Sequence, residues 1–169
     1  MDRRTLSSGL LASTLLILAR PSGAASDNRP CILMTITYDE APGAPDLPFV
    51  LTAEQLRRLP RRSFATKTIW TSGVQVFAGV PLFALLEHFA ITGRELVLSA
   101  ANDYRITIPI PEIGRLTPII AYERNGKAMT ARDYGPLWLV YDYDNDAANR
   151  TQTAFSRSIW QLDHITVKR

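Results

Sequence analysis

Cysteine is nearly absent: Cys31 is the only one in 169 residues. One thiol closes no internal disulfide, so no disulfide framework supports this fold. Histidine is almost as scarce, with only His88 and His164. Two imidazoles and one thiol assemble no zinc site of nitrogen and sulfur ligands. The chain also lacks a bilayer-length apolar run, internal repeats and low-complexity tracts. Its apolar run at residues 10–19 is interrupted by Ser and Thr, and only 15 residues separate Arg4 from Arg20. Spanning a bilayer takes about 20 apolar residues.

What that run does have is the flanking of a secretory leader. Arg3 and Arg4 precede it, Pro21 breaks it, and Ser22 and Ala24 stand at the −3 and −1 positions of a small-residue cleavage site. Residues 1–25 therefore read as a cleavable signal peptide. Residues 26–169 read as one exported domain, periplasmic or secreted, with no membrane span after processing. Cys31 lies too far on to be a lipoprotein's acylated cysteine. The whole chain carries 19 Lys and Arg against 16 Asp and Glu. Arg3, Arg4, Arg20 and Asp2 leave with the leader, so 16 basic residues face 15 acidic ones in the remainder. A balance so near neutral gives no electrostatic footprint for nucleic acid.

Along the domain, short strands outnumber helices. Residues 31–38 form a first apolar strand, with Cys31 read as an inward residue, and residues 41–48 are loop by their Pro and Gly content. Thr52 with Gln55 three residues later makes a capping box for a short helix that Pro60 ends. Strands follow at residues 64–70 and 74–77. Leu82, Leu85, Leu86 and Phe89 fall at i, i+3, i+4 and i+7, the stripe of an amphipathic helix, with Gly93 as its stop. Further strands are expected at 96–101, 105–108, 137–143 and 160–167. Another pair, at 119–123 and 127–130, flanks Asn125-Gly126, a strong hairpin signal. The class is α+β, mostly β, with mixed or antiparallel sheets and short scattered helices.

Four segments, in order, are similar to one family. They are Phe77-Ala78-Gly79-Val80-Pro81-Leu82 with Leu85-Leu86; Ala100-Ala101-Asn102-Asp103-Tyr104 with Ile108-Pro109; Tyr134-Gly135-Pro136-Leu137-Trp138-Leu139-Val140; and Ser156-Arg157-Ser158-Ile159-Trp160-Gln161-Leu162. Across most of residues 52–167 the chain resembles the molybdopterin-binding domain of sulfite oxidases, plant nitrate reductases and periplasmic methionine-sulfoxide reductases, most closely a compact exported subgroup. The resemblance implies mixed sheets around a cofactor crevice, with molybdenum held by pterin sulfurs and one protein cysteine. It places that cysteine about a dozen residues before Gly79, next to a tryptophan. The stretch here reads Thr66-Lys67-Thr68-Ile69-Trp70, with Lys67 or a neighbouring threonine in the cysteine's place. An ammonium or hydroxyl does not substitute for a soft thiolate.

The resemblance nominates Lys67, Asn102, Asp103, Tyr104, Arg105 and Arg157 as cofactor- or ligand-contacting residues. Tyr104 would donate to an anion and Arg105 and Arg157 would pair with it; an Asn-Asp turn and a salt bridge from Arg157 to one of the carboxylates at 142–146 are the structural alternatives. Arg57, Arg58, Arg61 and Arg62 read as a solvated face. The 142–146 segment fails as a calcium loop, because Ala147 and Thr153 stand where Gly and Glu are required. His88 reads as exposed and His164 as part of an edge-like terminal strand. Trp70, Trp138 and Trp160 read as core. Two functions follow. One is a binding module without redox work, for a small anionic or pterin-like ligand or a periplasmic protein. The other is a molybdenum-pterin oxidoreductase with atypical metal ligation.

Overall fold

The computed structural model describes residues 32–39 and 48–169; the expected leader and Cys31 lie outside them. The described chain is mostly strand. In order it forms β1 (Ile32–Tyr38), β2 (Phe49–Thr52), α1 (Ala53–Arg58), β3 (Arg62–Lys67), β4 (Val74–Pro81), α2 (Leu82–His88), β5 (Glu95–Ala100) and β6 (Arg105–Pro109). Then come β7 (Ile119–Arg124), β8 (Lys127–Ala128), β9 (Trp138–Val140), α3 (Gln152–Ser156) and β10 (Leu162–Lys168). No helix among the described residues is long and apolar enough to cross a membrane.

The first sheet has the order β2-β1-β10-β5-β6, with β1 and β10 parallel and the other pairs antiparallel. Its sequence alternates cleanly: Leu96, Leu98, Ile106, Ile108, Ile165 and Val167 are buried, while Val97, Ser99, Arg105, Thr107, His164 and Thr166 point the other way. One face is core and the other faces solvent. The second sheet runs β3-β4-β7-β8, and β9 also pairs with β7. It is covered on both sides where β4, β7 and β9 meet, and exposed on one side along β3. Along β7, Ile120 and Tyr122 enter the larger core, which they share with the first sheet, α1 and α2. Ile119 and Ala121 enter a smaller aromatic core beside α3. A strand buried on both faces reads as an unbroken apolar run, as Ile119-Ile120-Ala121-Tyr122 does.

Local chemistry sets several elements. Thr52 accepts a hydrogen bond from the Gln55 amide while the Gln55 side chain accepts from the Thr52 amide, so the capping box forms. Asn125 and Gly126 both have positive φ, 53° and 74°, as the two-residue β7–β8 turn requires. The α2 stripe is buried at Leu82, Leu85 and Leu86.

Three expectations are corrected. Helix α2 stops at Phe89, with Ala90 at φ 50°, before Gly93 is reached. The strand expected to reach Trp70 ends at Lys67, because the Thr68 hydroxyl bonds the Thr71 hydroxyl and accepts from the Trp70 amide, a local turn that replaces the ladder. His164 is not on an edge. β10 is the middle strand of its sheet, and Thr37 on β1 lies 2.8 Å from His164 Nε2.

Candidate functional site

The turn made by Thr68 and Thr71 folds Trp70 back over the smaller core. There it meets Trp138 and Trp160 edge-on, with centroids 5.9 and 5.5 Å away, and Phe155 at 6.4 Å. Trp138 is fully buried. Trp70, Phe155 and Trp160 are only partly covered and line a cavity of about 380 Å³. Ile69, Ala100, Asn102, Tyr104, Gln152, Ser156 and Ser158 complete its wall.

The β5–β6 turn supplies the opposite side. Asn102 Oδ1 accepts from the Tyr104 amide at 3.2 Å, Asp103 takes a positive φ of 64°, and the Ala100 amide donates to the Tyr104 carbonyl at 2.9 Å. This closed turn fixes the Tyr104 ring at the rim, where it is half exposed and its hydroxyl donates to the Ser156 carbonyl at 3.4 Å.

Much of the polar lining is already engaged. Ser158 Oγ donates to the Ala154 carbonyl and is also bonded to the Tyr143 hydroxyl. Ser156 Oγ donates to the Thr153 carbonyl. The side-chain amide nitrogen of Asn102 and the amide of Gln152 have no partner among the described residues, and they are the groups left for a ligand. Burial beneath the cavity pushes the Tyr143 phenol up to about 12, against a smaller opposing effect of its bond to Ser158. Burial likewise holds Tyr141 at about 12, opposed by the nearby Arg157 guanidinium.

Of the residues nominated from sequence, Asn102 and Tyr104 line this cavity. The other four are outside its lining. Asp103 tips the turn. Lys67 is exposed, and its backbone amide donates to Asp144 Oδ2 at 2.7 Å. Arg157 turns away and pairs with Glu112 at 2.6 Å, a partner that the alternative of a carboxylate at 142–146 did not include. Arg105 follows Tyr104 by one residue and so points to the other face of the sheet. Within the acidic segment, Asp142 is buried beside Arg62 at 3.6 Å and Asp146 caps a turn of 3₁₀ helix. Three of the four arginines expected as a solvated face have carboxylate partners: Arg58 with Glu54, Arg61 with Glu123 and Arg62 with Asp142.

The lining bears on the molybdenum cofactor. A metal-bound pterin needs a soft donor for the metal and cationic groups for its phosphate. Among the described residues, the cavity presents no thiol, imidazole, carboxylate or cation, and no three His, Cys, Asp or Glu side chains are grouped to hold a metal ion. The residues present do not fit that group. Sequence reasoning missed Trp70, Phe155 and Trp160 as lining residues. The available signal was at Phe155 alone, which sits among Thr and Ser outside any expected strand.

Comparison with protein-family models and with curated proteins finds no match to this chain.

Proposed function

We propose that the chain is an exported, non-redox binding module, a domain of the molybdopterin-binding oxidoreductase type that takes a small, uncharged cyclic ligand in its aromatic cavity. The observation that carries this reading is the lining: three partly covered aromatic rings and Tyr104 around about 380 Å³, with the Asn102 side-chain nitrogen and the Gln152 amide unpartnered among the described residues and no charged group. Aromatic walls supply apolar contact area with few rotatable bonds. The Gln152 amide offers a donor pair and an acceptor, and Asn102 its donor nitrogen, which suits the edge of a heterocycle bearing ring nitrogens and carbonyls. Such concave, mostly apolar sites with few polar groups are the usual form of small-molecule sites. A neutral pterin ring fits this description without its metal; the anionic ligand also expected from sequence has no counter-charge in this lining.

Titration of the purified domain with a neutral pterin, followed by tryptophan fluorescence, tests the reading. Saturable quenching is expected, because Trp70 and Trp160 both form the wall. Trp160→Ala should weaken binding by roughly tenfold or more, the scale of one lost base–aromatic stack. Absence of any saturable signal with pterin and purine rings would remove the cavity as their site. Metal analysis of protein taken from its native compartment separates the alternative: stoichiometric molybdenum would favour the oxidoreductase reading.

A further inference from the structure

On the other side of β5 and β6 from the cavity, strand register lines up a row of side chains. Arg105 on β6 is directly opposite Ser99 on β5, Ser99 is opposite His164 on β10, and His164 is opposite Thr35 on β1. All four are on the solvent-facing side of the first sheet. The small serine between a guanidinium and an imidazole leaves a trough, and a depression of about 260 Å³ is found there, lined by Val97, Ser99, Arg105, His164, Thr166 and Lys168. Arg105 and His164 are two strand spacings apart, roughly 10 Å between backbones, so a group a few ångströms across would rest on Ser99 between them.

The charges in this trough are unevenly committed. Lys168 pairs with Asp39 at 2.7 Å. The His164 ring is oriented by Thr37 through Nε2, which leaves Nδ1 without a partner among the described residues. Arg105 is exposed and has no hydrogen bond or ion pair among the described residues. Among the described residues, seven other basic side chains have carboxylate partners. Neither the Ser99 nor the Thr166 hydroxyl is engaged by another side chain or carbonyl among the described residues. No carboxylate lines the trough; the outward ones nearest to it on β5 and β10 are Asp163, beside His164 at the β10 bulge, and Glu95, four residues from Ser99 or about 13 Å along β5.

We propose that this trough binds a small oxyanion, a phosphate or sulfate group, held by the Arg105 guanidinium and the Ser99 hydroxyl, with His164 closing the far side. A guanidinium offers a planar fork of donors that matches two oxygens of such a group. The site is independent of the aromatic cavity, so its failure would leave the proposed function untouched.

The test is titration with inorganic phosphate, followed by backbone amide shifts, with sedimentation on phosphatidylglycerol-containing vesicles alongside. Saturable shifts at Ser99, Arg105 and His164 are expected. Arg105→Gln should weaken binding roughly tenfold, the scale of one hydrogen bond to a charged group, and Ser99→Ala should weaken it less. Arg105→Gln breaks no hydrogen bond or ion pair of the side chain within the described residues, so folding should survive. Arg132→Gln, at another exposed arginine, should bind as the parent does. Binding of free phosphate assigns a soluble oxyanion; Arg105-dependent sedimentation without it assigns a lipid headgroup, and either result supports the site. An Arg105→Gln variant that binds both probes as the parent does, or a parent that binds neither, overturns it.

Discussion

Tyr141 and Tyr143 show how much a single side chain's surroundings decide. Burial lifts both phenols from the ordinary 10 to about 12. In the folded state each keeps its proton until about pH 12, whereas the unfolded chain gives it up near 10. Their contribution to stability is therefore whole below pH 10 and disappears as pH rises to 12. Denaturant midpoints measured from pH 8 to 12 should fall across that window. Tyr143→Phe, with no proton to lose, should flatten the fall. The residue scale is also where sequence reasoning reached part of the site. Asn102 and Tyr104, nominated by the resemblance alone, line the cavity, and the Asn-Asp turn offered as the structural alternative forms as well. Arg157 does not line it; its pairing with Glu112 spans 45 residues and leaves no local trace.

At the scale of elements, the legible pieces are those whose cause is contained within a few residues. The Thr52–Gln55 box, the Asn125-Gly126 turn and the α2 stripe each formed as their residues dictate. Leu85 is fully buried in the larger core. Leu85→Ala should lower unfolding free energy by roughly 2–5 kcal/mol, the range for large-to-small changes in packed interiors. Chemical denaturation would measure it, and a change below about 0.5 kcal/mol, as at surface positions, would place the stripe in solvent. What stayed hidden at this scale was competition between elements. The 64–70 segment has strand composition throughout, yet the hydroxyls of Thr68 and Thr71 and the packing of Trp70 on Trp138 and Trp160 end the strand early. The short helix at Gln152–Ser156 was hidden as well; its Thr151 cap is clear only once Ala154 is seen to be buried.

For the whole molecule, strand order is the information that a sequence pattern does not carry. Alternation in β10 says which side chains face inward, and it says nothing about which strands sit to left and right. β10 lies between β1 and β5, and its Leu162, Ile165 and Val167 have no measurable exposure. Deleting residues 162–169 should therefore abolish cooperative folding, since it leaves β1–β2 and β5–β6 as separate hairpins; isolated two-stranded units are marginal at best. Circular dichroism of the truncated chain would show loss of a sharp thermal transition.

The central position of β10 has a temporal consequence. Ribosomes deliver residues in order, and β10 is the last of the described strands to emerge, while its parallel neighbour β1 is the first. The first sheet closes only across this longest available separation, and such non-local pairing is slow to form. The first sheet of a nascent chain would thus stay open until β10 had left the tunnel, although every strand of the second sheet emerges before it.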